Sequence, residues 1–350
     1  VSILAAGRNL QRLIEQIREF NPRHVYIIGE KDAAVLKALF PGLDIYRGED
    51  GMDKVSRLTD FDIGVSALVG VAGLRPTWNM INNGKTVALA NKEVLVAGGR
   101  LVMEAARKQG AALLTVDSEH SAIMQCLRGE NHGEIERILL TASGGPFFDR
   151  EITDGITPEE ALRHPTWKMG PKITIDSATM MNKGFEIIEA RWLFDVPVEK
   201  VQVVIHRQSI VHSMVEFKDG SIMANIAPPD MELPIAYALS YPERMEMPQR
   251  LDIFAMKALE FKAPDEEKFP CLRLAKEAAR AGHGAQVVLN AANEALVARF
   301  LAGGLRFTDI PRGVEEMLRQ HIPGEPGSID EVLALDEETR HRTEEWMKTR

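Results

Sequence analysis

The 350-residue chain has only two cysteines, Cys126 and Cys271, and no Cys-x-x-Cys pair. This scarcity excludes a small scaffold held by several disulfides and a thiolate zinc site with the usual ligand spacing. Two cysteines far apart in the sequence are typical of a reducing compartment, where each is a small core residue. We therefore expect stability to come from a hydrophobic core, for which the chain is long enough.

Long apolar runs and excess positive charge are also absent. No stretch approaches the roughly 20 apolar residues of a membrane span, and the start shows no secretory signal of the usual kind. The formal net charge of -9 disfavours nucleic acid and anionic membranes as partners. Any phosphate site must therefore be built locally, from a few cationic and amide groups.

Apolar strands alternate with helices through the first part of the chain. This alternation predicts a parallel, doubly wound sheet of the α/β class, which binds ligands beyond the carboxyl ends of its strands. Three polar segments follow such ends: Gly7-Arg8-Asn9, Asn91-Lys92-Glu93 and Asp117-Ser118-Glu119. The predicted strands lie near residues 1–5, 25–29, 43–46, 63–69, 86–90 and 111–116.

The pattern changes after residue 116. Runs at 135–141, 201–205, 213–217 and 221–226 predict the strands of an α+β domain over 117–240. Residues 241–269 contain several prolines and mixed charge, which indicates a connector. Beyond it, helical spacing predicts an α-helical domain over 270–350, in which Asp336 is expected to cap the last helix.

The stretch from Asp176 to Glu186 concentrates the most polar chemistry. From Met181 onward, apolar residues recur at helical spacing and predict one buried stripe. A helix start preceded by Ser177, Asn182 and Lys183 is suited to a phosphate. The alternative is a capped helix that carries a solvated Lys183–Glu186 ion pair.

Three carboxylates, Asp117, Glu119 and Glu186, form a candidate metal site. Residues two apart in an extended chain point the same way, so Asp117 and Glu119 are expected to share a face. Oxygen-only ligands suit Mg²⁺ or Mn²⁺. The alternative is a helix start in which Asp117 or Ser118 is the cap and Glu119 lies in the first turn.

Three further segments admit both a functional and a purely structural interpretation. The Ser143-Gly-Gly turn can approach an anion closely or be a plain turn. The loop from His164 to Gly170 can cover a ligand or pack on the core. Arg8 suits a 2′-phosphate, and hence NADP, or is a solvated surface charge. His206 and His212 are expected to be structural.

Several long motifs, all in one order, resemble the 1-deoxy-D-xylulose 5-phosphate reductoisomerase family. The resemblance runs from Val1 to the C-terminal helices. It rests on Ala90-Asn-Lys-Glu93, Val116-Asp-Ser-Glu-His120, Ser143-Gly-Gly-Pro-Phe147, His164-Pro-Thr-Trp167, Asp176-Ser-Ala-Thr-Met-Met-Asn-Lys-Gly184, Ile205-His-Arg-Gln-Ser209, Pro229-Asp-Met231 and Leu289-Asn-Ala-Ala-Asn-Glu294.

The resemblance implies roles for individual residues. The implied metal ligands are Asp117, Glu119 and Glu186, and the implied catalytic set adds Lys92 and His164. Ser143, Ser177, Asn182 and Lys183 would hold the substrate phosphate, and Trp167 would cover the substrate. The full implied substrate set is Lys92, Ser118, Glu119, Ser143, His164, Trp167, Ser177, Asn182, Lys183 and Glu186. The implied NADPH contacts are Gly7, Arg8, Asn9, Asn91, Glu93 and Gly170.

The resemblance also implies an activity and an assembly. The expected enzyme is an NADPH-dependent oxidoreductase that isomerises 1-deoxy-D-xylulose 5-phosphate and reduces it to 2-C-methyl-D-erythritol 4-phosphate, for isoprenoid synthesis. A divalent cation, Mn²⁺, Mg²⁺ or Co²⁺, would polarise the substrate carbonyl. The expected architecture is a Rossmann-like NADPH domain over 1–116, a catalytic domain over 117–240 that carries the contact of a homodimer, and a helical C-terminal domain. The expected compartment is the bacterial cytoplasm or the plastid stroma.

Two departures from the family pattern stand out. Arg207 replaces the usual proline of a His-x-Gln-Ser motif, and we expect a local surface change only. The family's glycine-rich dinucleotide turn belongs before Val1, so we expect an N-terminal truncation by one βα unit. This expectation leaves two alternative functions open. One is a metal-dependent sugar-phosphate isomerase or lyase without reduction, and the other is a non-catalytic binding protein.

Overall fold

The computed structural model describes all 350 residues. The ten strands are β1 (Ile3–Ala6), β2 (His24–Ile27), β3 (Asp44–Arg47), β4 (Ile63–Ser66), β5 (Thr86–Leu89), β6 (Leu113–Thr115), β7 (Ile135–Ala142), β8 (Val201–Ile205), β9 (Val211–Phe217) and β10 (Ile222–Ile226). The first seven α-helices are α1 (Leu10–Phe20), α2 (Glu30–Leu39), α3 (Gly48–Ser56), α4 (Leu74–Asn82), α5 (Glu93–Gln109), α6 (Ser118–Cys126) and α7 (Pro158–Ala161). The other seven are α8 (Pro171–Thr179), α9 (Met181–Phe194), α10 (Glu232–Ser240), α11 (Pro270–Ala281), α12 (His283–Leu301), α13 (Asp309–Arg319) and α14 (Ile329–Met347).

The N-terminal part forms two parallel sheets, in the orders β1-β2-β3 and β4-β5-β6. Each strand is followed by a helix, which confirms the predicted α/β alternation. Strands β1 and β4 are not paired with each other, and an apolar cavity of about 550 Å³ lies between them. The carboxyl ends of β5 and β6 lead directly into α5 and α6, which places two polar segments at one edge of the second sheet.

The middle part contains a mixed sheet in the order β10-β9-β7-β8. Strand β7 pairs parallel to β8 and antiparallel to β9, and β10 forms one edge. The α+β character predicted for this part is therefore confirmed. Helix α9 packs against β7 and β8 and carries a buried apolar stripe that includes Met181, Phe185 and Ile188.

The C-terminal part is helical, as predicted, and α12 is its buried centre. One hydrophobic cluster of 45 buried residues joins the middle sheet to these helices, so the two parts share a core. Helix α14 begins at Ile329, and the side chain of Ser328 caps it. The prediction that Asp336 caps this helix is wrong: Asp336 lies inside α14, where it is buried and paired with Arg340 at 2.6 Å.

None of these helices is both long and apolar enough to cross a membrane. Both cysteines are buried and unpaired.

Candidate active site

Three carboxylates converge at the carboxyl edge of the second parallel sheet. Asp117 and Glu119 stand at the start of α6, and Glu186 lies one turn inside α9. Their ligand oxygens all lie within 4.8 Å of one another. The fold thus brings together residues about 70 positions apart in the sequence.

The local geometry differs in part from the sequence argument. Asp117 is the N-cap of α6, and its Oδ1 accepts a hydrogen bond from the backbone N–H of Glu119 at 3.2 Å. The two carboxylates are therefore close because a helix begins there, and the expectation of an extended chain is wrong. Asp117 is a helix cap and, through Oδ2, a member of the carboxylate cluster.

The stretch around Ser177 was predicted to be a helix start preceded by polar residues, and the structure differs from this prediction. Ser177 lies near the end of α8, and Asn182 and Lys183 lie in the first turn of α9. Met180 separates the two helices with a left-handed backbone, φ +63°. This sharp break turns the two helices relative to each other.

Two lysines neutralise most of the carboxylate charge. Lys92 Nζ donates to Asp117 Oδ2 at 3.0 Å and to Glu186 Oε1 at 3.1 Å. Lys183 Nζ donates to Glu119 Oε1 at 2.5 Å and to Glu186 Oε2 at 2.7 Å. Only 8% of the Lys183 side chain and 1% of the Glu186 side chain are exposed, which excludes the solvated ion pair.

The protonation states follow from this pairing. Burial opposes the charge on both lysines, but the surrounding carboxylates outweigh it and raise the pKa of Lys92 and of Lys183. Burial also opposes the charge on Asp117, yet Lys92 and His120 hold its pKa well below the usual value. The lysines are thus fixed cations, and Asp117 is ionised.

The cluster fits a divalent cation. Its three carboxylates converge within 4.8 Å of one another, and two lysines pair with them. The available ligand atoms are all carboxylate oxygens. Asp117 and Glu119 are partly accessible, and Glu186 is buried. That donor set matches a hard cation such as Mg²⁺ or Mn²⁺.

His120 and Glu189 lie behind the carboxylates, and sequence reasoning missed their place there. His120 Nε2 donates to the carbonyl oxygen of Glu186 at 3.0 Å, and Nδ1 lies 3.2 Å from Asp117 Oδ1 and 3.6 Å from Glu189 Oε2. Burial opposes the His120 charge, but Glu189 and Asp117 raise its pKa to about 9. The available signal was spacing, since each residue lies three positions after a cluster carboxylate.

The Ser143-Gly-Gly turn follows β7. Gly144 and Gly145 have φ of +80° and +67°, a left-handed conformation that glycine adopts without strain. A Cβ on Gly145 would lie 2.7 Å from the carbonyl oxygen of Ser177. The turn therefore packs directly against the end of α8, and Ser143 and Ser177 belong to one region.

The loop from His164 to Gly170 contacts this turn through His164. The backbone N–H groups of Thr166 and Trp167 donate to His164 Nδ1 at 3.2 Å and 2.8 Å. Nδ1 is therefore the unprotonated nitrogen, and Nε2–H donates to Ser143 Oγ at 2.9 Å. The Ser143 hydroxyl hydrogen thus remains available to a further acceptor.

The charge state of His164 agrees with this tautomer. Burial lowers its pKa to about 4, and the nearby cations Lys183 and Arg207 act in the same direction. Trp167, in the same loop, lies against His212 with ring centroids 6.3 Å apart.

The residues predicted to contact a dinucleotide are distributed over three places. Gly7 and Arg8 are exposed beyond β1, and Asn9 caps α1 by accepting from the N–H of Arg12. Gly170 precedes α8. No hydrogen bond joins the segment 7–9 to the other predicted cofactor residues.

Asn91 and Glu93 are bonded within the protein. The Asn91 amide donates to the carbonyl oxygens of Leu68 and Gly70, and Glu93 pairs with Lys172. Lys172 also pairs with Asp176 at 2.8 Å, and this carboxylate accepts from Asn293 at 2.8 Å. This buried network, which sequence reasoning missed, ties α5, α8 and α12 together behind the carboxylates.

The expectation for Arg207 as a surface change only is wrong. Its guanidinium donates to the carbonyl oxygens of Ser143 and Gly145 and is only 33% exposed. His206 and His212, in contrast, have the expected structural roles: each contacts backbone carbonyl oxygens.

Sequence models of one family match most of the chain. Residues 1–99 match 1-deoxy-D-xylulose 5-phosphate reductoisomerase, and residues 113–194 match the C-terminal domain of the same enzyme. Residues 226–342 match the DXP reductoisomerase C-terminal domain.

Individual relatives agree over nearly the whole chain. The 1-deoxy-D-xylulose 5-phosphate reductoisomerase of Shouchella clausii is 48% identical over 97% of this chain and 91% of its own length. That of Prosthecochloris aestuarii is 51% identical over 95% of this chain and 88% of its own length.

Two solved structures share the fold. The Zymomonas mobilis reductoisomerase in complex with NADPH has a TM-score of 0.93 and 42% identity, over 100% of this chain and 92% of the other. A DOX-P reductoisomerase in complex with NADPH, fosmidomycin and magnesium has a TM-score of 0.93 and 39% identity, over 99% and 91%. The chain belongs to the 1-deoxy-D-xylulose 5-phosphate reductoisomerase family.

Proposed function

We propose that this protein converts 1-deoxy-D-xylulose 5-phosphate to 2-C-methyl-D-erythritol 4-phosphate, with NADPH as reductant and a divalent cation as cofactor. The observation that carries the proposal is the cluster of Asp117, Glu119 and Glu186, held by two buried lysines beside the Ser143–His164 pair. Relatives that match nearly the whole chain bear this enzyme's name, and a structural neighbour contains NADPH and magnesium. These findings favour the reductoisomerase over an isomerase without reduction or a binding protein.

Asp117, Glu119 and Glu186 would hold the cation, which when bound polarises the substrate carbonyl. The protein's own contribution is charge and position. Lys92 is a fixed cation beside the three carboxylates, and it also donates to Asn182 Oδ1 at 2.6 Å. It therefore stabilises negative charge that develops on substrate oxygens as the carbon skeleton rearranges.

The phosphate would bind beside the carboxylate cluster, on the side of the Ser143 turn. Ser143 keeps its hydroxyl hydrogen for an acceptor, because its oxygen already accepts from His164 and from the N–H of Gly145. We propose Ser177, Asn182 and Lys183 as the further phosphate contacts. Binding energy from this remote group can close the loop that carries Trp167 over the substrate and orient the reacting carbons.

The nicotinamide cofactor supplies a hydride when bound. We propose that Gly7, Arg8 and Asn9 beyond β1 hold it together with Asn91, Glu93 and Gly170. The exposed Arg8 side chain is available to a 2′-phosphate, which supports NADPH over NADH.

The domain boundaries are also proposed. Residues 1–116 would bind the nucleotide, 117–240 would carry the reaction, 241–269 would connect, and 270–350 would brace the catalytic part from behind. The middle sheet and the C-terminal helices share one hydrophobic core, which supports a bracing role for residues 270–350. We place the protein in a reducing compartment, the bacterial cytoplasm or the plastid stroma, in agreement with its two unpaired cysteines.

We further propose a homodimer through the edge strand β10. Its residues Ile222, Met223 and Ile226 expose 51%, 41% and 42% of their surface, although they are apolar. An exposed apolar edge is a template for pairing with another strand, and a second copy offers the same edge. Met223→Lys is expected to yield monomers in sedimentation equilibrium, and an unchanged dimer would place the contact elsewhere.

The activity is tested by NADPH absorbance with 1-deoxy-D-xylulose 5-phosphate and Mg²⁺. Wild-type protein is expected to oxidise NADPH, and Glu186→Gln is expected to lose this rate because the cluster loses a ligand charge. Glu199→Gln is the matched control, since Glu199 is exposed and pairs only with Arg280. Substrate conversion without NADPH oxidation by the wild type would favour an isomerase instead.

A further inference from the structure

We propose that Arg207 is a positioning residue for the phosphate turn, which we define as Ser143–Gly145. Its guanidinium holds the carbonyl side of this turn and thereby fixes the Ser143 hydroxyl for the substrate phosphate. The inference rests on the proposed function, because it assigns a role to a residue beside the same site.

The contacts are direct and involve one nitrogen. Arg207 Nη1 donates to the carbonyl oxygen of Ser143 at 3.1 Å and to that of Gly145 at 2.8 Å. These two carbonyls belong to the first and last residues of the turn, so one charged donor fastens both ends. Hydrogen bonds from an ionised donor are stronger than those between neutral groups.

The turn needs such a fastening. Gly144 and Gly145 both adopt left-handed backbone angles, and glycine has little intrinsic preference for this conformation over others. The turn also packs closely on Ser177, as a Cβ on Gly145 would clash with its carbonyl oxygen. A shift of the turn therefore changes the separation of two proposed phosphate contacts, Ser143 and Ser177.

Arg207 is itself held in place. The preceding residue, His206, is fully buried, stacks on Phe261 with ring centroids 4.8 Å apart, and donates its backbone N–H to Ala142 at 2.7 Å. The Arg207 guanidinium lies over the Phe148 ring at 5.7 Å, and Nη2 is 3.4 Å from Asp149. The arginine thus bridges the turn after β8 to the glycine turn after β7.

The charge of Arg207 acts in the same direction as its geometry. The guanidinium is close enough to His164 to help keep that ring neutral, as Lys183 does. Two cations therefore flank the region where an anion would bind. Arg207 contacts no proposed reacting atom, so its effect on the reaction passes through the turn.

The test compares Arg207→Met with Arg207→Lys and with a matched control. Arg150→Met is the control, since Arg150 lies over the ring of the neighbouring Phe147 and pairs with Glu160, but does not contact the turn. Arg207→Met is expected to raise KM for 1-deoxy-D-xylulose 5-phosphate about tenfold, the loss expected for one charge-assisted hydrogen bond. KM for NADPH is expected to stay unchanged, and Arg207→Lys is expected to recover part of the loss.

A second readout does not depend on turnover. Binding of inorganic phosphate, measured by calorimetry with wild type and variants, is expected to weaken in Arg207→Met and not in Arg150→Met. Equal phosphate affinity in both variants, or a parallel loss of kcat, both KM values and thermal stability in Arg207→Met, would overturn the positioning role. If phosphate binding by the wild type is weakened in Arg207→Met, yet the wild type oxidises no NADPH, the proposed function fails and the positioning role of Arg207 for a phosphate stands.

Discussion

At the scale of single residues, the site depends on side chains that make several contacts at once. Asp117 caps a helix with one oxygen and binds Lys92 with the other. Ser143 Oγ accepts from His164 and Gly145. Such sharing leaves each group with one orientation, which is the preorganisation that an active site requires.

His164 gives a prediction at this scale. Its pKa of about 4 lies below the usual 6.5, which means that the folded state favours the neutral ring. The stabilisation of the folded state by this preference is fully present above pH 6.5. It is lost as the pH falls from 6.5 towards 4. We expect the imidazole resonance of His164, assigned in ¹³C-histidine-labelled protein by its absence in His164→Asn, to titrate near pH 4. A midpoint near 6.5 would contradict the assigned hydrogen bonds.

At the scale of elements, the starts of α6 and α9 bring the carboxylates and Lys183 together. Helix α6 has Asp117 as its cap, and α9 follows the sharp break at Met180. The carboxylate positions therefore depend on where two helices begin.

The cap of α6 separates the two roles of Asp117. Asparagine caps a helix about as well as aspartate, but it lacks the charge, so Asp117→Asn is expected to keep the cap and to lose both the ion pair with Lys92 and the activity. Asp117→Ala removes both the cap and the charge. Its free energy of unfolding is expected to be about 1 kcal/mol lower than that of Asp117→Asn. Urea unfolding with parallel rate measurements checks this, and equal stability of the two variants would show that the cap contributes nothing.

These elements also show what sequence alone predicts. The strand and helix alternation and the buried stripe of α9 were predicted, because both are periodic and local. The cap role of Asp117 was one of two open alternatives, and the structure shows that the second, a carboxylate cluster, exists beside it. The contacts of Arg207 with the Ser143–Gly145 turn and of Lys172 with Glu93 were not predicted, because these partners lie 62 to 79 positions away and no local pattern encodes them.

At the scale of the whole molecule, the C-terminal helices brace the parallel sheets from behind. Glu294 on α12 accepts from the backbone N–H of Val71 at 3.1 Å and pairs with Arg340 on α14 at 2.7 Å. Its side chain thus links the N-terminal part to two C-terminal helices, across 223 positions of sequence in the first case.

Glu294→Ala tests this link. It leaves the N–H of Val71 without its acceptor and deprives Arg340 of one of its two carboxylates, so we expect a loss of about 2 kcal/mol in the free energy of unfolding. Glu315→Ala, which removes an exposed pair with Arg273, is the control and is expected to cost no more than about 0.5 kcal/mol. Equal losses in urea unfolding would show that the Glu294 link contributes no more to stability than an exposed ion pair.

The most direct test of the account is the metal dependence of NADPH oxidation with 1-deoxy-D-xylulose 5-phosphate. The carboxylate cluster is expected to need its cation, so chelation of divalent metal should abolish the substrate-dependent rate, and added Mg²⁺ or Mn²⁺ should restore it. Oxidation that continues undiminished after chelation would contradict a metal role for Asp117, Glu119 and Glu186.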